Sequence, residues 1–132
     1  MRIYLDSSAL VKLVQREAQS DGLRRFLRRH RSDHLVTSAL ARVEVVRAVL
    51  AGGPVAIEQA HRQLSRLDQV VLSNEVLDSA AQLTPTGQLR SLDAIHLAAA
   101  QLVGSDLRAL VTYDGRMEDA ARALGLAVET PG

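Results

Sequence analysis

Residues 1–13, MRIYLDSSALVKL, decide how the rest of the chain is to be read. Ile3, Tyr4 and Leu5 make a short apolar run of the kind that forms a buried strand, whereas Leu10, Val11, Leu13 and Val14 recur at helical spacing. Between them lie Asp6, Ser7 and Ser8. Asp and Ser are good helix N-caps, so capping alone accounts for a carboxylate at that joint. Whether Asp6 does more depends on where the other acids fall.

The pattern continues outward as an alternation of short apolar runs and amphipathic segments, which predicts an α/β domain with a central, mostly parallel sheet of four to five strands flanked by helices. Strands are expected at residues 3–5, 35–37, 70–72, 110–112 and 127–129. Helical spacing covers 9–16, 23–29, 41–50, 57–67, 75–83, 92–103 and 117–124. Gly52-Gly53-Pro54 breaks one helix from the next and so predicts a helical hairpin between the second and third strands. Gly87, within TPTGQLR, marks a loop before the following helix.

At 132 residues, the chain fits a single domain, 1–132, with a core large enough to need no staples. It has no cysteine, which excludes a disulfide framework and a thiolate zinc site and agrees with a reducing cytosol. Neither a signal-peptide h-region nor an apolar run near the roughly 20 residues of a membrane helix is present. A soluble, cytoplasmic protein without a membrane partner is expected. Net charge is only +1, yet of 16 basic residues all but Lys12 are Arg. Arg forks suit phosphate oxygens, although a GC-rich genome produces the same bias. Aromatic content of 2% argues against stacking platforms for single-stranded bases.

Ligands of open α/β sheets bind beyond the carboxyl ends of the strands, where strand order reverses. Asp6 follows the first strand directly, and Asp114 follows the fourth. Glu44, among Val43, Val45 and Val46, and Asp93, ahead of the nearly uncharged run 94–104, stand early in two apolar helices. An acid buried there unpaired is costly, so something must compensate it. Each acid has a structural reading: caps for Asp6 and Asp114, the helix dipole for Asp93, a pair with Arg47 for Glu44. Four such acids on one edge fit a single site better than four coincidences. Such an all-oxygen set suits Mg²⁺ or Mn²⁺. Four carboxylates in one pocket also repel, so a raised pKa is expected for at least one. Asp93→Asn should then melt higher than wild type without metal.

LDSSALVKL, ARVEVVRAVL, LRSLDAIHLAAA and VTYDGRMEDAARALGL resemble the four signature segments of PIN domains, specifically the ribonuclease toxins of VapBC toxin–antitoxin pairs. The likeness runs from the first strand to the last. It implies a PIN-like three-layer fold and a Mg²⁺- or Mn²⁺-dependent endoribonuclease leaving a 5′-phosphate and a 3′-hydroxyl. By the same likeness Asp6, Glu44, Asp93 and Asp114 match the family's catalytic acids. Asp6 and Asp93 are expected as direct metal ligands, Asp114 as a ligand directly or through water, and Glu44 as the residue that acts through water or orients the nucleophile. Ser7 stands where the family often has Thr or Ser, and Thr112 with Asp114 matches its threonine–x–aspartate segment. RNA, a cognate antitoxin and a second copy of the chain are the implied partners. Residues 16–33 and the hairpin around Gly52 match nothing diagnostic.

Three neighbours of these acids are weighed separately. His96, one turn after Asp93, is expected to be a satisfied structural histidine. Arg116 is placed to touch substrate phosphate or to pair with Asp119, itself an auxiliary or a solvated acid. In LRRFLRRHR, Leu23, Phe26 and Leu27 form one face and Arg24, Arg25, Arg28 and Arg29 the other, a solvated face or an RNA guide. Two other functions compete with the ribonuclease: a catalytically silent PIN scaffold and a receiver-like phospho-accepting domain. A receiver needs a late lysine, and none follows Lys12.

Overall fold

A computed structural model describes residues 1–83 and 89–132; the loop expected at Gly87 lies outside them. In chain order the elements are β1 (Arg2–Leu5), α1 (Ser7–Val14), α2 (Ser20–Arg29), β2 (His34–Ser38), α3 (Ala41–Val49), α4 (Gly53–Leu64), β3 (Asp68–Val70), α5 (Asn74–Ala81), α6 (Ser91–Val103), β4 (Leu107–Val111), α7 (Gly115–Ala123) and β5 (Val128–Glu129). The sheet runs β3-β2-β1-β4-β5, and every pair is parallel. No helix among the described residues is long and apolar enough to cross a membrane.

Strands covered on both faces read as unbroken apolar runs, and β1 shows why. Ile3 and Leu5 point into one layer, packed with Leu10 and Leu13 of α1, Leu23 and Phe26 of α2, Val45 of α3 and Leu64 of α4. Tyr4 points into the other, with Leu97, Ala99 and Ala100 of α6, Leu110 of β4 and Met117 of α7. The small side chains of α6 let that helix lie close on the sheet. Burying each large side chain contributes about 1.5–3 kcal/mol, so these two layers hold the strand ends in place.

Some boundaries move for local reasons. The third strand is Asp68–Val70 rather than 70–72, because its partner β2 ends at Ser38, opposite Val70. Val71 beyond it is exposed. Pro54 does not delay α4 but sits in its first turn, where a missing N–H leaves no helix bond unmade. The hairpin of α3 and α4 is present, joined by one 3-10 turn, Leu50–Gly52.

At the amino edge of the sheet, Asp33 accepts from Arg108 of β4 and from the Met1 amine at 3.2 Å. The Arg108 hydrogen bonds outweigh burial and, with the amine, hold the Asp33 carboxyl down at about 2. A folded pKa below the unfolded value of about 3.9 gives stability that is complete above that value and lost as pH falls from about 4 towards 2. Asp33→Asn is therefore expected to melt lower than wild type at pH 7, with the gap closing as pH falls below 4. A gap that stays constant from pH 7 to pH 3 in thermal melts contradicts this pinning role.

Candidate active site

The carboxyl ends of β1 and β4 are neighbours, and the chain crosses from them to opposite sides of the sheet. Asp6 leaves β1 there, its N–H donating to the Val111 carbonyl at 3.2 Å. Asp6 does cap α1: Oδ1 accepts from the Ala9 N–H at 3.0 Å and from the Ser8 hydroxyl at 2.6 Å. Asp114 likewise caps α7 through Oδ1, which accepts from the Arg116 N–H at 2.9 Å. Capping uses one oxygen of each acid and leaves Oδ2 for other work. Asp6 Oδ2 accepts from the Thr112 hydroxyl, whose oxygen in turn accepts from the Asp114 N–H at 3.1 Å. The two joints are thus tied into one unit.

Asp6 is only 3% exposed. Burial pushes its carboxyl up, opposed by hydrogen bonds from Ser8 and Thr112, by the His96 charge and by the Ala9 N–H. A raised pKa in the group was expected; its cause was not. Desolvation raises it, not repulsion between acids.

Asp93 and Asp114 are held together by a cation of the chain itself. Arg90, immediately before α6, donates from Nε to Asp93 Oδ2 at 3.0 Å and from a terminal nitrogen to Asp114 Oδ2 at 3.1 Å. Its side chain is 62% exposed, so this is a solvent-screened surface bridge over a buried Asp93 that adds little stability. The pair of Arg90 and Asp93 is spaced i, i+3, a signal present in LRSLD that the reading of the acids left unused.

Glu44 is compensated by α6 rather than by Arg47. His96 Nε2 lies 2.7 Å from Glu44 Oε1, and the Ser7 hydroxyl donates to the same oxygen at 2.6 Å. Tyr4 O–H lies 2.7 Å from His96 Nδ1. Burial raises the Glu44 carboxyl, but the His96 and Ser7 hydrogen bonds and the charges of His96 and Arg90 outweigh it and leave the group below the usual carboxylate range. Burial also pushes the Tyr4 phenol well up, so it stays protonated. His96 is buried and satisfied, as expected, yet its partners Tyr4, Glu44 and, at 3.2 Å from Nε2, Ser7 are all side chains and one is a site acid. Ser7 holds Glu44; Ser8 is the serine that holds Asp6.

Glu44, Arg90, Ser91, Leu92 and Asp93 line a cleft open to solvent. Among the described residues no three Asp, Glu or His side chains form a ready-made metal cluster. The residues nevertheless fit Mg²⁺ or Mn²⁺, which takes one or two carboxylates and keeps its waters. One guanidinium already spans Asp93 and Asp114, and all the donors are oxygen.

The outlying candidates fare differently. Arg116 and Asp119 are exposed near Asp114, and no ion pair among the described residues joins them. Arg24 donates to the Leu13 carbonyl at 3.1 Å and so braces α2 on α1. Arg25, Arg28 and Arg29 are exposed, but α2 ends at Arg29, shortly before His34 pairs with Arg2 at the amino edge. The last two therefore lie at the end of the domain away from the acids.

A five-stranded parallel sheet with four acids on the rim beyond β1 and β4 is the arrangement of a nuclease-like α/β domain, and a model of the PIN domain matches residues 3–123. The chain belongs to the PIN domain family and, within it, to the VapC ribonucleases. It is 55% identical over 130 residues to Ribonuclease VapC46 of Mycobacterium tuberculosis, covering 98% of this chain and 97% of the relative. Identity to Ribonuclease VapC35 of the same organism is 48% over 132 residues, with the same coverage. Among solved structures, VapC20 of M. tuberculosis, described as a toxin that cleaves the sarcin–ricin loop, has a TM-score of 0.76 at 18% identity, covering 98% of this chain and 99% of that one. VapBC2 from Rickettsia felis, bound to a DNA fragment from its promoter, has a TM-score of 0.70 at 17% identity, covering 100% of both chains. Likeness at those identities concerns the fold, which is the three-layer fold expected of a PIN domain. The sheet order also differs from the 2-1-3-4-5 order of flavodoxin-like receivers, which removes that alternative.

Proposed function

We propose that this chain is a Mg²⁺- or Mn²⁺-dependent endoribonuclease that hydrolyses RNA phosphodiester bonds and arrests growth unless a cognate antitoxin restrains it. The observation that carries the reading is the placement of Asp6, Glu44, Asp93 and Asp114 on one rim, with one cationic group shared by two of them. A bound divalent ion supplies Lewis-acid stabilisation of the charge that develops on the phosphoryl oxygens. Asp93 and Asp114 would hold it, with Asp6 beside them on the same rim. Thr112 and Ser8 keep Asp6 oriented. Arg90, displaced from the carboxylates, has the fork geometry to take a phosphate oxygen, and Arg116 stands on the same rim. Glu44, kept ionised, accepts a hydrogen bond from the attacking water.

The test is cleavage of cellular RNA with Mg²⁺, Mn²⁺ or EDTA, together with growth after expression of the chain alone. Cleavage that stops in EDTA and returns with either ion is the expected result. A bound ion also raises stability by RT ln(1 + [L]/Kd), about 2.7 kcal/mol at a hundredfold excess over Kd, so melting should rise with it. Cleavage persisting through exhaustive chelation defeats the metal dependence, and unimpaired growth defeats the toxin role.

Partners follow from the surface. Val43 and Leu50 near α3 and Val55 on α4 are exposed apolar residues that a second copy of the chain would cover. The antitoxin would place a basic side chain where Arg90 now sits, since a guanidinium suits a site of several carboxylates. Light scattering is expected to show a homodimer, and the antitoxin complex to hold a cationic side chain against Asp93 and Asp114. Monomers at every concentration, or acids left open to solvent in the complex, would count against these two assignments. The exposed Arg25, Arg28 and Arg29 face adds non-specific attraction for RNA.

A further inference from the structure

The chain of contacts from Tyr4 through His96 to Glu44 joins the central strand, α6 and α3. His96 is 1% exposed, and its two ring nitrogens are both spoken for by side chains at 2.7 Å. The Tyr4 hydroxyl meets Nδ1 from the central strand. The Glu44 carboxylate only accepts, so Nε2 carries a hydrogen and donates to it. The direction of the bond onto Glu44 is thereby fixed. On Glu44 both donors, His96 and Ser7, meet the same oxygen, and no donor of the described residues reaches Oε2. A glutamate has three side-chain torsions, and here one oxygen is anchored from two elements while the other is left uncommitted. A histidine serving packing alone has no need of a site acid as partner.

We propose that Tyr4 and His96 are positioning residues for Glu44, holding its carboxylate so that Oε2 alone meets the water that attacks the phosphodiester. This rests on the ribonuclease reading above. It assigns His96 no proton transfer and no contact with RNA; its contribution is to have the carboxylate aligned before substrate arrives.

Glutamine and asparagine at position 96 separate positioning from packing. The amide nitrogen of Gln reproduces Nε2 and reaches Glu44, whereas that of Asn falls near Nδ1 and does not. With a labelled RNA oligonucleotide that wild type cleaves, H96Q is expected to keep kcat within about threefold of wild type. H96N is expected to lose on the order of 10- to 100-fold in kcat at unchanged KM. Tyr4→Phe, which preserves the ring packing, is expected to lower kcat in wild type and to have no further effect in H96N. Imidazole ¹⁵N spectra of wild type should show His96 hydrogen on Nε2. Equal kcat values for H96Q and H96N, a loss confined to KM, additive effects of Tyr4→Phe and H96N, or an Nε2 that carries no hydrogen each overturn the proposal. A wild type that cleaves no RNA overturns the ribonuclease reading and this assignment together; an active wild type with a fully active, folded H96N overturns this assignment alone.

Discussion

Asp93→Asn is expected to reduce RNA cleavage to less than about a hundredth of wild type, with the fold intact, and Asp6→Asn to do the same at a greater cost in stability. Removing one fixed electrostatic contact to a developing transition-state charge is worth about 10²–10³ in rate, and Asp93 is one of the two acids that already share a cation. Asn preserves the shape and an acceptor for Arg90, so what is lost is the charge. The stability lost with it is small: a solvent-screened surface bridge to Arg90 and a favourable place in the first turn of α6. Asp6 is different, because it accepts from Ser8, Ala9 and Thr112 at once. The amide of Asn supplies one acceptor oxygen where the carboxylate supplied two, and leaving a buried donor unmet costs about 1–3 kcal/mol. Asp93→Asn is consequently the cleaner variant. Since Arg90 offsets Asp93, the gain in melting temperature that mutual repulsion would give this variant in EDTA is not expected. Wild-type cleavage by either variant, with circular dichroism confirming the fold, sinks the site.

Glu44→Gln is expected to lower kcat by about 10²-fold or more at nearly unchanged KM and melting temperature, because the geometry lets the amide satisfy one neighbour set and fail the other. Gln presents its oxygen to His96 and Ser7 as Glu44 does, so the buried contacts persist. Its NH₂ then stands where Oε2 stood and cannot accept a hydrogen bond from water. Positioned acid–base groups contribute about 10²–10⁴ in rate. An effect of that size with the fold preserved distinguishes a group that meets the nucleophile from one that merely satisfies His96. Full activity of Glu44→Gln would make Glu44 a structural partner and leave the nucleophile without an oriented acceptor.

Both variants bear on acids that local patterns exposed. Asp6 and Asp114 stand out because strand periodicity gives way to helix periodicity at each of them, and Glu44 and Asp93 because each interrupts an apolar stretch. Their compensation was not legible in the same way. Arg90 was within reach of an i, i+3 argument, whereas the Ser7 and Ser8 assignments were not, since adjacent serines at one helix start are interchangeable until the turn geometry sends one to Glu44 and the other to Asp6. The α2 arginines read as one basic face, yet one of them braces α1 and the last two point to the far edge, a matter of where the helix is laid down.

The sequence by itself determined the alternation of strands and helices, the parallel three-layer class, the helical hairpin at Gly52-Gly53-Pro54 and the four acids. These depend on periodicity, capping and turn chemistry, which act over a few residues and are written in neighbouring letters. Only the tertiary structure decided the strand order, the end of β3 and the partners of each acid. Those partners are distant in the chain: Thr112 reaches Asp6 across 106 positions, Tyr4 reaches His96 across 92 and His96 reaches Glu44 across 52. No local preference encodes such a pairing. It follows from two hydrophobic layers clamping one sheet, which bring the ends of β1 and β4 and the first turns of α3 and α6 to a common rim and leave their polar side chains to satisfy one another there.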